Sequence, residues 1–387
     1  MISICRFGES VIYMKINIYS SNKQNLFDAL KDIKDQIQKD FKKIDFLLIA
    51  LNPKYDSIDK EISKLFPNIK YTAFHAIDAF KNDEITTNIT ISVFEFKKSA
   101  NVSLYCVDSL SLDNIKETIN YLNKHKTCFH IMITCFNEKI SKYLNIISDN
   151  LDYSPINNII GGISSGVEVD DELRTWQFTN NKIIKNGLII ISFKNIKAQI
   201  GISLGFEPYG ITYKVTKAKL YKLYEVDYGI KFSNIAKKLL KGIKNIDKKY
   251  LWYIPLNILD EKDGYVATLR IIKEVKKEYV EFFGDVKKGQ NFKLSFATED
   301  DLLEEDKKVA MELKEHIKGA DTIFNFSCIA RQYILDRKQK EEIKIYYKIF
   351  KSPLFGFFTF GEIGPDKMHK KLKLYNETSL LLAMKEL

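Results

Sequence analysis

Pro353-Leu354-Phe355-Gly356-Phe357-Phe358-Thr359-Phe360-Gly361-Glu362-Ile363-Gly364-Pro365 reads as an aromatic strand that runs into a glycine turn carrying one acid. A short apolar run bounded by Pro and Gly is a strand signal. Glycine marks places where φ must be positive or where a backbone must come close to something. Upstream, the spacing predicts a helix over 341–350 and a strand over 322–329; downstream, a strand over 377–384. The unit therefore reads strand, helix, strand, turn, strand.

The same order occurs twice more. Strand 129–136, helix 138–148, and strands 158–163 and 188–193 form one copy; strand 45–51, helix 56–66, and strands 70–76 and 88–96 form the other. The second copy keeps a glycine turn, Gly161-Gly162-Ile163-Ser164-Ser165-Gly166, whereas the first has Ala73-Phe74-His75-Ala76. The first unit is expected to keep the fold and to lose the close approach. Between the second and third units, 196–205 and 213–224 alternate like a long hairpin, and Ser233 is placed to cap a helix over 233–243. The polar stretch 245–249 is read as a domain boundary, followed by a meander at 252–258, 265–272, 279–283 and 291–297. Acids at its start and Lys314 and His316 near its end mark a helix over 301–317. The expected fold class is α/β: mixed β-sheets covered by helices, built from repeated strand-helix-strand-turn-strand units in two domains, 14–245 and 250–387. Residues 1–13 are set apart as an N-terminal extension, because Met14 could be an alternative start.

At 387 residues, with 45% hydrophobic and 28% charged residues, the chain has the composition of an ordinary globular protein. A disordered or fibrous chain is excluded. Five cysteines are too few for a disulfide scaffold, and the absence of C-x-x-C leaves no zinc signature. The net charge of +10 comes from lysine pairs scattered among acids, so a nucleic-acid surface is not expected. No apolar run approaches the roughly 18 residues of a membrane helix, and the N-terminus lacks the pattern of a signal peptide. Membrane insertion is not expected, and the cytoplasm is the expected compartment.

Candidate chemistry gathers near the ends of the third unit's strands. Ser327-Cys328-Ile329-Ala330-Arg331 closes a strand. An Arg there suits a cavity lip, where its planar fork of donors fits a carboxylate or phosphate; the alternative is a structural salt bridge to Glu341 or Glu342. Glu362 borders a dry region and could take an ammonium group, or else cap local amides. Asn376-Glu377-Thr378 adds donors and acceptors, and Arg331 with Glu362 would match a zwitterion. Gly162-Ile163-Ser164-Ser165-Gly166 is not a nucleophile elbow, the five histidines have no identifiable partner, and neither a P-loop nor a dinucleotide fingerprint occurs. No cofactor, metal site or catalytic residue is assigned.

Phe326-Ser327-Cys328-Ile329-Ala330-Arg331, the 353–363 segment and Tyr375-Asn376-Glu377-Thr378 together resemble the C-terminal half of the FIST domain. Its N-terminal half is similar to the chain at 160–166, 205–210 and Val215-Thr216-Lys217-Ala218. The resemblance implies a sensory input module of signal transduction, for which binding of small ligands such as amino acids has been proposed. It points to Cys328, Arg331, Gly361, Glu362 and Asn376. Thr359, Gly161, Gly162 and Ser164 complete the expected ligand-binding set. The three units and the meander use up the length, so the state of the sensor is expected to pass to a separate signalling protein such as a kinase or cyclase. Two rivals remain open: an enzyme with Cys328 as nucleophile, and an interaction scaffold with no ligand.

Overall fold

A computed structural model describes residues 14–155, 158–179, 182–239, 248–259, 266–366 and 371–387. The expected extension 1–13 and most of the expected boundary at 245–249 lie outside the described residues.

The repeat is present three times and is longer than the sequence reading made it. Each unit opens with a lead strand: Met14–Ser21, Asn101–Val107 and Ile196–Ser203. A helix follows each one: Leu26–Asp40, Leu112–Lys124 and, in the third unit, Glu299–His316. Then come the paired strands Phe46–Leu51 and Tyr71–His75, Phe129–Thr134 and Ile159–Ile163, and Thr322–Cys328 and Leu354–Thr359, parallel in every unit. Ile89–Phe96, Leu188–Lys194 and Ser379–Glu386 close the units, each lying between its lead strand and the parallel pair. The connectivity and strand direction are thus the same in all three units.

The sheets are not closed within the units. Each unit sends a small hairpin into another unit's sheet, next to the second strand of the parallel pair. The hairpin Ala79–Lys81/Glu84–Thr86 of the first unit joins the third sheet, Gln177–Thr179/Lys182–Ile184 of the second joins the first, and Glu362–Asp366/Lys371–Tyr375 of the third joins the second. The exchange is cyclic, giving three six-stranded sheets in a pseudo-threefold arrangement.

Each parallel strand is apolar on both faces because both faces are covered. Phe46, Leu48 and Ala50 point into an inner core shared with Phe129, Ile131, Phe193, Phe324 and Phe355 from the other units. Leu47, Ile49 and Leu51 face outward, beneath the helices Leu26–Asp40 and Asp59–Leu65. At the centre, Phe94 lies 5.7 Å from Phe193 and 6.2 Å from Phe324, so one aromatic contact joins all three units.

Glycine serves this packing inside the second unit's strand rather than in a turn after it. A Cβ on Gly161 would lie 1.7 Å from the Met132 carbonyl oxygen, and one on Gly162 would lie 2.7 Å from Thr359 Cγ2.

The material between the second and third units departs from the reading. Ile196–Ser203 pairs with Ser379–Glu386 in the core, whereas Glu207–Lys219 pairs with Asn291–Phe296 and Lys222–Val226. The expected long hairpin therefore does not form, because the alternating strand Ile196–Ser203 is needed to complete the third unit. In place of a meander, an eight-stranded sheet is inserted between the third unit's lead strand and its helix. Strands on both sides of 245–249 share this sheet, with Glu207 opposite Phe296 and Lys222 opposite Glu281. Ser233 lies inside the helix Phe232–Leu239 and donates to the Lys277 carbonyl at 2.9 Å instead of capping. The helix Glu299–His316 carries a reciprocal cap between Thr298 and Asp301.

Candidate functional site

The three units present equivalent backbone at the ends of their first parallel strands. Asn52 N–H donates to Asn88 at 2.8 Å, Cys135 N–H to Gly187 at 3.0 Å and Cys328 N–H to Thr378 at 3.0 Å. The side chains are not equivalent. In the exchanged hairpins, register places Glu362 opposite Gly162, Gln177 opposite Phe74 and Ala79 opposite Phe357. One of the three equivalent positions therefore carries an acid, one an amide and one a methyl group.

That acid belongs to a buried polar group at the third unit's strand ends. Cys328 stands opposite Thr359 in the parallel register. The Thr359 hydroxyl donates to Glu362 and accepts from Gly361 N–H at 3.2 Å. The 375–379 turn crosses this end, with Glu377 in the left-handed region at φ 53° and Thr378 receiving Cys328 N–H. Burial, with Glu377 next to it, holds the Glu362 carboxyl well above the usual carboxylate range. Burial likewise pushes Glu377 up to about 8, although the Arg331 charge opposes the shift. Neither carboxylate oxygen of Glu377, nor Asn376 Oδ1, has a hydrogen-bond partner among the described residues.

Cys328 and Asn376 form the floor of a cavity of about 230 Å³. Its walls are apolar: Phe136 and Leu173 from the second unit, Ile329, Ala330 and Phe360 from the third, and Trp252, Ile271 and Phe283 from the inserted sheet and the turn leading into it. Trp252 Nε1 also lacks a partner among the described residues. The sequence reading missed these walls. Trp252, expected to start the strand over 252–258, lies in a 3₁₀ segment, Lys248–Tyr253.

Arg331 requires a correction. It is not at a cavity lip but on the helix Ile329–Leu335, fully buried. Its Nη2 is 2.8 Å from Asp306 Oδ2 and its Nε 3.8 Å from Glu342 Oε2, while Nη1 donates to the Glu377 carbonyl at 3.4 Å. Asp306 also accepts from Ser203 at 2.5 Å and Tyr346 at 2.7 Å. The salt-bridge alternative thus holds for Glu342; Asp306, 25 residues away on another helix, was not foreseen. The guanidinium holds the helices Glu299–His316 and Gln339–Phe350 against the third sheet and is not presented to a ligand.

The remaining expected residues divide into two groups. Gly162, Thr359, Gly361 and Glu362 lie together, and the two glycine segments meet through Ile163 N–H donating to Gly361 at 2.8 Å and Phe360 N–H donating to Ile163 at 3.1 Å. Gly161 packs on the Met132 backbone, and Ser164 accepts from Gln177 at 3.1 Å. These two build the second unit's strand end, and none of these six residues lines the cavity; of the expected ligand-binding set, Cys328 and Asn376 do.

Chemically, the site is a small apolar chamber that a thiol and an amide line, with the buried acids Glu362 and Glu377 near the thiol and outside the lining. Burial, Glu362 and Glu377 all push the Cys328 thiol far up, which disfavours a thiolate nucleophile. No cluster of three metal-ligating side chains occurs among the described residues.

Comparison with known proteins agrees with this architecture. The sequence model of the FIST N domain matches residues 46–228 and that of the FIST C domain residues 235–365. The chain is also 32% identical over 269 residues to an uncharacterized protein of Aquifex aeolicus (strain VF5), an alignment covering 65% of this chain and 97% of that protein.

Proposed function

The chain belongs to the FIST family, and on that premise we propose that it is a sensory input protein whose ligand occupies the cavity above Cys328 and Asn376. The observation that carries this reading is the cavity itself: apolar walls from three parts of the chain, with Asn376 Oδ1 and Trp252 Nε1 on lining residues and without a hydrogen-bond partner among the described residues. Ligand sites have this make-up, a mostly apolar lining with a few polar groups that fix orientation. At about 230 Å³ the chamber lies below the usual range of roughly 300–1,000 Å³, so the ligand is small. Amino acids and related metabolites are the first candidates.

Signalling follows from where the walls come from. Trp252, Ile271 and Phe283 belong to the inserted region, and the floor belongs to the threefold core. A ligand between them changes how the insertion seats on the core, which a separate kinase, cyclase or similar protein could read. A ligand shifts such an equilibrium only by its difference in affinity for the two arrangements.

The test is a thermal-shift screen of wild type and Ala330→Leu, which places extra carbon atoms in the chamber. A ligand of the folded state raises the midpoint by mass action. Hits should raise it in wild type and not in Ala330→Leu. Hits of equal size in both proteins would move the ligand site elsewhere.

A further inference from the structure

We propose that the cavity takes a small uncharged molecule with an aromatic or branched-alkyl body, held by its carbon surface rather than by ion pairs. The proposal rests on the reading of this cavity as the ligand site and narrows the candidates to uncharged ones.

Ten residues line the chamber, and none of them is Asp, Glu, Lys, Arg or His. Phe136, Trp252, Phe283 and Phe360 are aromatic, and Phe136 and Phe360 meet edge to face at 6.3 Å. Rings packed this way offer both edges and faces, which suits a further ring. The polar lining residues do not offset this. Asn376 is 1% exposed, and the unpartnered Asn376 Oδ1 and Trp252 Nε1 are buried atoms.

A charge has no reception here. The fully buried Arg331 lies outside the lining and is engaged by Asp306 at 2.8 Å, and Glu362 and Glu377 lie outside it too. An ammonium or carboxylate group drawn into these walls would be desolvated and unpaired, the costliest state for a charge. A free amino acid carries both. Water is also poorly held, because a buried water needs about three polar partners. An apolar body displaces it at little cost.

Size and access fit the same class. An apolar cavity of about 150 Å³ takes up benzene. This one has about 230 Å³, room for a substituted single ring or a short branched chain. Leu173, in its wall, lies on the hairpin Val167–Val169/Glu172–Arg174, which joins no other sheet among the described residues. A two-stranded hairpin is marginal by itself, so this wall yields most easily to an entering molecule.

Calorimetric titration of the full chain tests this with matched sets that keep the body and change the head. One set is 4-methylphenol, benzylamine and benzoate; the other is isopentyl alcohol, isopentylamine and isovalerate. Leucine and phenylalanine are run beside them. At neutral pH the uncharged member of each set should bind at least about tenfold more tightly than its charged counterparts, with the negative heat-capacity change of apolar burial. Ala330→Leu, which fills the chamber, should abolish that binding. Leu173→Trp fills it from the hairpin and serves if the first variant does not fold. Charged members or amino acids binding as tightly as the uncharged ones, with that binding lost in the variant, would overturn the uncharged class and leave the cavity as a ligand site. Binding of equal strength in wild type and variant would place the compounds elsewhere, and both readings would fall. They fall likewise if no compound binds.

Discussion

The Arg331 guanidinium is fully enclosed, with Asp306 and Glu342 around it and the Glu377 carbonyl on its third side. Removing one partner from a buried pair strands the other charge, which typically costs about 3–5 kcal/mol. Asp306→Ala should lose about that much in chemical denaturation, since it also frees the Ser203 and Tyr346 hydroxyls. A loss below about 1 kcal/mol, the range of exposed pairs, would show that water reaches the network. Glu377 gives a second expectation at this scale. Burial in the folded chain pushes it up to about 8 from an ordinary value of 4.5. Between these values the folded chain holds a proton that the unfolded chain has released, so stability falls as pH rises through that window. Glu377→Gln removes this contribution. Urea denaturation at pH 5 and pH 8 should show a smaller fall for the variant than for wild type, and equal falls would assign the titration to another group.

At the scale of the element, two glycines do opposite jobs. Gly161 lies mid-strand against the Met132 backbone, where a Cβ would come within 1.7 Å of a carbonyl oxygen. That atom is held in a parallel ladder and cannot yield as a side chain would. Gly161→Ala should destabilise by more than about 3 kcal/mol, beyond ordinary overpacking. Gly210 has φ +76° with nothing within 4 Å of an added Cβ. Gly210→Ala should cost only the left-handed backbone penalty, roughly 1–2 kcal/mol. Comparing the two by thermal melting separates close approach from conformation; equal losses would mean that the second unit's strands can part to admit a methyl group.

For the whole molecule, the cyclic exchange of hairpins decides cooperativity. Each six-stranded sheet is completed by another unit, and the inner core draws on all three. No unit can open without uncovering an edge of a neighbour's sheet. Hydrogen exchange followed by mass spectrometry should therefore show Phe46–Leu51, Phe129–Thr134 and Thr322–Cys328 exchanging through one common opening. The inserted sheet has its own apolar cluster around Phe232, Phe282 and Phe292, so it is expected to exchange through a separate opening. Early exchange of any single core strand would show that the units unfold one at a time.

The sequence by itself determined the repeat and the strand ends that matter. Strands covered on both faces must be apolar at nearly every position, so Phe46–Leu51, Phe129–Thr134 and Leu354–Thr359 stand out in any reading of the chain. Gly361 and Glu362 were legible as a close approach with an acid beside it. Which sheet a hairpin joins, and which charge meets which, was decided only in the tertiary structure. Hairpin pairing depends on a neighbour's free edge, which leaves no local pattern in Ala79–Lys81 or Gln177–Thr179. The Asp306–Arg331 pair and the walls Trp252, Ile271 and Phe283 join segments far apart in the chain. Burial and electrostatic pairing act through distance in space, and periodicity reports only on neighbours along the sequence.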